Sequence, residues 1–143
     1  MFNLGQAKSK RMGRLTRLWK ALWFGTMKIK KHSNKDSWRR NWHWESVFVV
    51  VQIHRIIWWK DEQQFDDADP PIGFIILSGH AGLDNLSPID AKVFKGDEIE
   101  RAVHIFGRGK SDQEKVCFLA STEQEKMIVR DAIVRATEDG VLN

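Results

Sequence analysis

Cysteine is nearly missing from this sequence, with Cys117 alone. One thiol forms no intrachain disulfide and builds no cysteine-based zinc site, which fits a reducing, cytosolic setting. Its neighbours Val116, Phe118 and Leu119 are apolar, so Cys117 is expected to be a buried, inert small side chain. Long apolar runs are also lacking. The largest, Val47 to Val51 followed by Ile53, falls far short of the roughly 20 residues a spanning helix needs. Met1 to Leu22 has scattered charges and no apolar stretch of signal length, so it does not read as a secretory signal.

Acids are scarce where bases abound. Residues 1–44 hold twelve Lys or Arg against one acid, Asp36, whereas residues 45–143 hold eleven bases against eighteen acids. The net charge of +4 thus conceals a basic front joined to an acidic body. Such a front is expected to meet something negative, lipid or nucleic acid, while the body faces cytosol. At 143 residues, with 42% hydrophobic and 29% charged residues, the chain has room for one compact domain and an extension.

Met1 to Gly13 lacks sustained apolar spacing and reads as a leader. Met12, Leu15, Trp19 and Leu22 then recur at intervals of three or four, with Arg14, Arg17 and Lys20 on the other faces, which predicts a short basic amphipathic helix over Met12 to Trp23. Such a helix suits a membrane surface, or packs its Leu and Trp stripe on the domain, or serves as a calmodulin-type target.

From Trp23 the pattern becomes strand-like, with Met27 and Ile29 alternating with Lys28 and Lys30. Trp44 to Gln52 and Arg55 to Lys60 are predicted to form a hairpin. Asp61 to Pro71, acidic and ending in Pro70-Pro71, reads as an exposed connection. Further strands are expected over Gly73 to Leu77, Ala91 to Phe94, Ala102 to Phe106 and Val116 to Ala120. Asp97, Glu98 and Glu100 read as a solvated turn, and Gly107 to Ser111 as a turn between strands. Thr122 with Glu125 has the spacing of a capping box and opens a closing helix of about four turns, with Met127, Val129, Ile133, Val134 and Ala136 as its apolar stripe and Gly140 as its stop.

Seven short strands and one closing helix resemble the pleckstrin-homology (PH) domain, a bent β-barrel of two antiparallel sheets capped by a C-terminal helix. Phe48-Val49-Val50-Val51 followed by Ile56-Ile57-Trp58-Trp59-Lys60 resembles that family's second and third strands, and Pro71 to Leu77 its fourth. Val103 to Phe106 and Phe118 to Glu123 resemble the sixth and seventh strands and the start of the helix. The resemblance covers residues 24–138. It divides the chain into a basic leader with an amphipathic helix, 1–22, and a PH-like domain, 23–139. It also implies a smaller plug, because Val129 stands where the family usually carries tryptophan.

The family's phosphoinositide signature joins a first-strand lysine to a basic-x-arginine triplet opening the second strand. With Trp44 opening that strand, the triplet falls on Glu45, Ser46 and Val47, which cannot supply it. A second register, opening at Trp38, places Arg39 and Arg40 near those positions at the cost of an unusually long strand.

In the first register, a loop over His32 to Trp42 carries Lys35, Arg39, Arg40, Trp38 and Trp42, next to Lys28, Lys30 and Lys31 on the first strand. These bases are the expected headgroup ligands. Trp38, Trp42, Trp19 and Leu15 are the expected inserting side chains, since indoles settle at the membrane interface while bases meet phosphate. The alternative for Trp42 and Trp44 is packing at the barrel mouth. At roughly 1 kcal/mol per base, five engaged bases supply about 5 kcal/mol, only sub-millimolar binding. Insertion, a bidentate arginine or an attached acyl chain must add to it; Met1-Phe2-Asn3 is not a myristoylation signal. A basic loop with insertable tryptophan suits the single exposed phosphate of phosphatidic acid better than a multiply phosphorylated inositol. In size and style the chain is similar to small acylated PH proteins that sense phosphatidic acid.

The expectation is therefore a non-enzymatic, monomeric, peripheral module at the cytoplasmic face of a membrane, with anionic phospholipid as partner. A protein partner, met by the Asp61 to Asp69 loop or the barrel edge, is the alternative, and nucleic acid is disfavoured for want of any matching module. No cofactor is expected. His32, His43, His54, His80 and His104 lack metal-ligand spacing, and Gly107-Arg108-Gly109-Lys110-Ser111 lacks the earlier glycine of a phosphate loop.

Overall fold

The protein is described from a computed structural model, which covers residues 18–32, 42–78, 81–84, 92, 94–110 and 112–142. Its strands are β1 (Trp23–His32), β2 (Trp42–Gln52), β3 (Arg55–Trp59), β4 (Gly73–Ile76), β5 (Gly82–Leu83), β6 (Ala102–Gly109) and β7 (Asp112–Leu119). Its helices are α1 (Glu62–Asp66), α2 (Glu98–Arg101) and α3 (Glu123–Leu142).

Alternation buries Met27 and Ile29 of β1, whereas the continuous run Val47 to Val51 of β2 is buried on both faces, and the two strands pair antiparallel along the whole of β1, from Trp23↔Val51 to His32↔Trp42. The sheet runs β4-β3-β2-β1-β7-β6-β5, and the pair Ile76↔Arg108 between β4 and β6 closes it into a barrel. Met27, Ile29, Val47, Val49, Val51, Ile56, Trp58, Ile75, Val103, Ile105 and Phe118 fill the inside. At the Gln52 end of β2, α3 closes the barrel with Val129, Ala132, Ile133 and Ala136, all buried. Val129 is fully buried, and the small side chains beside it let the helix sit close to the strands.

Gln52 pairs with Arg55, so Ile53 and His54 alone turn β2 into β3. His54 takes a left-handed conformation, φ 76°, and its backbone is held at both ends: its N–H donates to Ala136 and its carbonyl accepts from Leu77. Gly73 lets the chain approach closely, because a Cβ there would collide with the Trp58 indole on the neighbouring strand.

The structure corrects the sequence expectations at several places. The helix over Met12 to Trp23 does not reach its expected end: Leu18–Lys20 is a turn, with Lys20 left-handed at φ 63°, and Trp23 already belongs to β1, while residues 12–17 lie outside the described residues. β2 opens at Trp42, two residues before Trp44. The connection Asp61 to Pro71 contains α1, capped by Asp61, whose carboxylate accepts from Gln64 N–H at 2.8 Å. α1 forms because Phe65 has an apolar seat against Phe48 and Trp59.

The fifth strand is Gly82–Leu83 rather than Ala91 to Phe94, because the ladder to β6 runs through Gly82↔Phe106 and Leu83↔Ile105. Phe94 instead packs as a buried side chain outside the barrel. Gly107 and Gly109 lie inside β6, whose ladder to β7 runs on to Gly109↔Asp112, so Gly107 to Gly109 are strand rather than turn. Glu98 and Glu100 belong to α2 rather than to a solvated turn. In α3 the buried stripe is Val129, Ala132, Ile133 and Ala136, while Met127 and Val134 face solvent, and the helix runs through Gly140 to Leu142.

The capping box is present in modified form. Thr122 Oγ1 accepts from Glu125 N–H at 3.0 Å, and the Glu125 carboxylate reaches back to Ser121 N–H, also at 3.0 Å. Cys117 is buried, as its apolar neighbours predicted.

Candidate functional site

The end of the barrel opposite α3 is where β1 finishes and β2 starts. Because side chains alternate along a strand, β1 sends its lysines to both faces there. Met27 and Ile29 point inward, and Lys31 continues their row. Opposite that row stand Glu45, paired with Ile29, and His43, paired with Lys31. His43 Nε2 lies 3.3 Å from Glu45 Oε2. Among the described residues, the inner lip of the mouth therefore combines one lysine, one histidine and one carboxylate.

Lys28 and Lys30 occupy the outer face, paired with Ser46 and Trp44. Lys28 is exposed. Lys30 sits half-buried with its ammonium 5.2 Å from the Trp42 ring centroid and 5.8 Å from that of Phe94. That spacing is a cation–π contact on two sides. Trp42 meets Trp44 edge-on at 5.3 Å, and both rings meet Phe94, at 5.7 and 5.3 Å. The Trp44 indole N–H donates to Glu98 at 2.8 Å. His104 stacks on Phe94, with Cys117 Sγ 3.7 Å from its Nε2. Trp42 is thus half-buried in an aromatic cluster that holds Lys30, on the outer surface rather than inside the mouth.

Trp19 lies elsewhere. It is 73% exposed and stands at the edge of a groove of about 280 Å³ on the outer face of β2 and β3, whose floor is Val50 and Ile57. Lys35, Trp38, Arg39, Arg40 and Leu15 lie outside the described residues. Of the expected site residues, then, Lys30 and Trp42 come together, Lys28 shares their face, Lys31 faces the other way, and Trp19 is separate.

Phe94 is the site residue sequence reasoning missed. The signal available for it was its place as a lone aromatic between charged residues, Lys92 and Lys95, which a strand assignment absorbed. Among the described residues no group of three or more His, Cys, Asp or Glu side chains could hold a metal ion, and no helix is long and apolar enough to cross a membrane.

No family model matches the sequence, and no curated protein does. Solved structures do match. The chain is similar to the pleckstrin homology domain of human KIAA0053 protein, with TM-score 0.57 and 16% identity over 83% of this chain and 90% of that one. It is similar to the C-terminal PH domain of pleckstrin, solved in complex with D-myo-Ins(1,2,3,5,6)P5, with TM-score 0.55 and 16% identity over 82% and 95%. The PH domain of human oxysterol binding protein-related protein 11 matches at TM-score 0.55 and 16% identity over 82% of each chain. The chain has the pleckstrin-homology fold, a seven-stranded antiparallel barrel closed by a C-terminal helix.

Proposed function

We propose that the chain is a non-enzymatic membrane-targeting module that binds anionic phospholipid, phosphatidic acid in preference to phosphoinositide, at the cytoplasmic face of a membrane. The fold supports an interaction module, and the pleckstrin domain of the same fold is solved with an inositol pentakisphosphate. The observation that carries the headgroup choice is the division of the β1 lysines. A multiply phosphorylated ring needs several bases converging on one cavity, whereas Lys31 shares the inner lip with Glu45, and Lys28 and Lys30 are turned outward. A single phosphate at the level of the acyl boundary asks for less: two outward bases and an indole edge, which Lys28, Lys30 and Trp42 provide. Lys35, Trp38, Arg39 and Arg40, next in sequence, complete the basic surface in this reading.

Liposome co-sedimentation across a lipid panel at constant surface charge tests it. Binding is expected to rank phosphatidic acid above phosphatidylserine and phosphoinositide, and equal binding to all three overturns the preference. A protein-interaction module with little lipid affinity is the second reading, favoured by Met127 and Ile128 of α3, which are 52% and 57% exposed. Absence of binding to every anionic liposome would select it.

A further inference from the structure

Cross-strand pairing sets one residue of each strand in a row over the seam where the barrel closes: Gln52 of β2, Arg55 of β3, Ile76 of β4, Arg108 of β6 and Gln113 of β7. Partners across a ladder point to the same side of a sheet. Here that side is outward, because the residues adjacent in the chain, Ile56, Ile75 and Gly107, are buried. Arg55 and Arg108 are exposed, and Ile76 between them is 36% exposed. Among the described residues neither guanidinium meets a carboxylate; Arg55 Nε donates to Gln52 Oε1 at 2.7 Å. Lys110, also exposed, adds a base two residues beyond Arg108. Asp84, which follows β5, is engaged by Lys115 at 3.4 Å. The acids of α1 stand toward the other end of β3, where Phe65 packs on Trp59.

We propose that this seam docks an acidic helix of a partner protein, which sets a carboxylate on Arg55, an apolar side chain on Ile76 and a second carboxylate on Arg108. Charge and spacing select the occupant. Two unpaired guanidinium groups ask for two carboxylates, which they can each grip with two hydrogen bonds. Neighbouring strands lie about 4.8 Å apart, so the two arginines, two strands apart, are separated by about 10 Å. Positions i and i+7 on one helix face are about 10.5 Å apart, with i+4 between them. The place of the seam favours a protein over a bilayer. Around the barrel the strands run β4-β3-β2-β1-β7-β6 before β4 meets β6, so the seam lies across the barrel from the β1–β2 pair that carries Lys28, Lys30 and Trp42. A bilayer on those side chains leaves the seam turned away from it. The choice of protein over bilayer, though not the acidic character of the partner, rests on the lipid reading above.

Fluorescence anisotropy with the whole chain tests the proposal, using a labelled alanine-rich helical peptide with glutamate, leucine and glutamate at positions i, i+4 and i+7. The peptide is expected to bind, and to bind about tenfold more weakly when its glutamates become glutamine or when the chain carries Arg55→Ala/Arg108→Ala. No binding, or equal binding of the glutamine peptide, overturns the proposal. Lys60→Ala/Arg130→Ala, which removes the same charge from exposed positions off the row, should leave the affinity unchanged, and an equal loss there would show attraction without a site and overturn it. Arg55→Glu/Arg108→Glu should lose the glutamate peptide and gain its lysine counterpart, a reversal that misfolding cannot produce. Failure to gain the lysine peptide overturns the pairing with these two arginines. Chain bound to phosphatidic acid vesicles should still capture the glutamate peptide. If Arg55→Ala/Arg108→Ala instead weakens vesicle binding as much as Lys28→Ala/Lys30→Ala does, the seam is a membrane surface and the choice of partner is overturned. A chain that binds the peptide and no anionic vesicle keeps the seam and loses the membrane reading.

Discussion

The Trp44 indole N–H donates to one carboxylate oxygen of Glu98 at 2.8 Å, while the other oxygen accepts the backbone N–H of Lys95 at 2.7 Å. A single carboxylate thus fastens the segment that carries Phe94 onto β2, and so closes the aromatic cluster over Lys30. Glu98→Ala leaves the indole N–H unpaired in a half-buried site and should lower stability by about 1–2 kcal/mol. Denaturant unfolding followed by tryptophan emission measures it, and an unchanged midpoint would show that the bond contributes nothing.

Lys28→Ala/Lys30→Ala should weaken binding to phosphatidic acid vesicles by about 30-fold, from two bases at roughly 1 kcal/mol each. The loss should shrink at high salt, since exposed charges are screened. Lys31→Ala should do less, because its side chain faces the inner lip beside Glu45. Equal losses for Lys28→Ala and Lys31→Ala would contradict the outward site.

Glu45→Arg replaces an acid beside His43 with a base, one step along the inner row from Lys31, so that the described part of the inner lip becomes basic throughout. It should raise binding to phosphoinositide vesicles by about tenfold or more and change the preference for phosphatidic acid, as compared on vesicles of matched charge. No gain for phosphoinositide would mean that the carboxylate is not what limits that lip.

Gly73→Ala sets a Cβ against the Trp58 indole, which is itself part of the core and meets Phe118 edge-on. Either the indole or β4 must move, and the cost should be about 1–3 kcal/mol. Ile133→Ala, which empties a fully buried site on α3, should cost about 2–5 kcal/mol. Ile128→Ala on the exposed side of the same helix should stay within about 0.5 kcal/mol. Thermal unfolding of the three variants checks this order, and comparable losses at 128 and 133 would reverse the assignment of the helix faces.

What the sequence revealed and what it hid follow from how local each signal is. The pairing of Thr122 with Glu125 is visible because a helix cap is decided within four residues, the alternation in β1 because one face of it is buried, and β2 because its unbroken apolar run is buried on both. β5 could not be read, since two residues, Gly82 and Leu83, carry no period and become a strand only through their ladder to Phe106 and Ile105. α1 has only half a local signal, the capping spacing of Asp61 and Gln64. Its single apolar residue, Phe65, has meaning only once Phe48 and Trp59 supply its seat, and the two prolines that follow read as a loop. The site divided in the same way. That lysines adjoin tryptophans is plain from the sequence, but which face each lysine takes depends on Met27 and Ile29 being the buried row, and Phe94 reaches Lys30 only through the tertiary fold.

The bond from His54 to Ala136 spans most of the chain, and the side chains that seal that end of the barrel, Val129 to Ala136, come after every strand. During synthesis the strands therefore leave the ribosome with one end of their core still wet. Stable folding must wait for the α3 segment to emerge, which makes this a domain that folds as a unit once its closing helix is made rather than piecewise from its first strands.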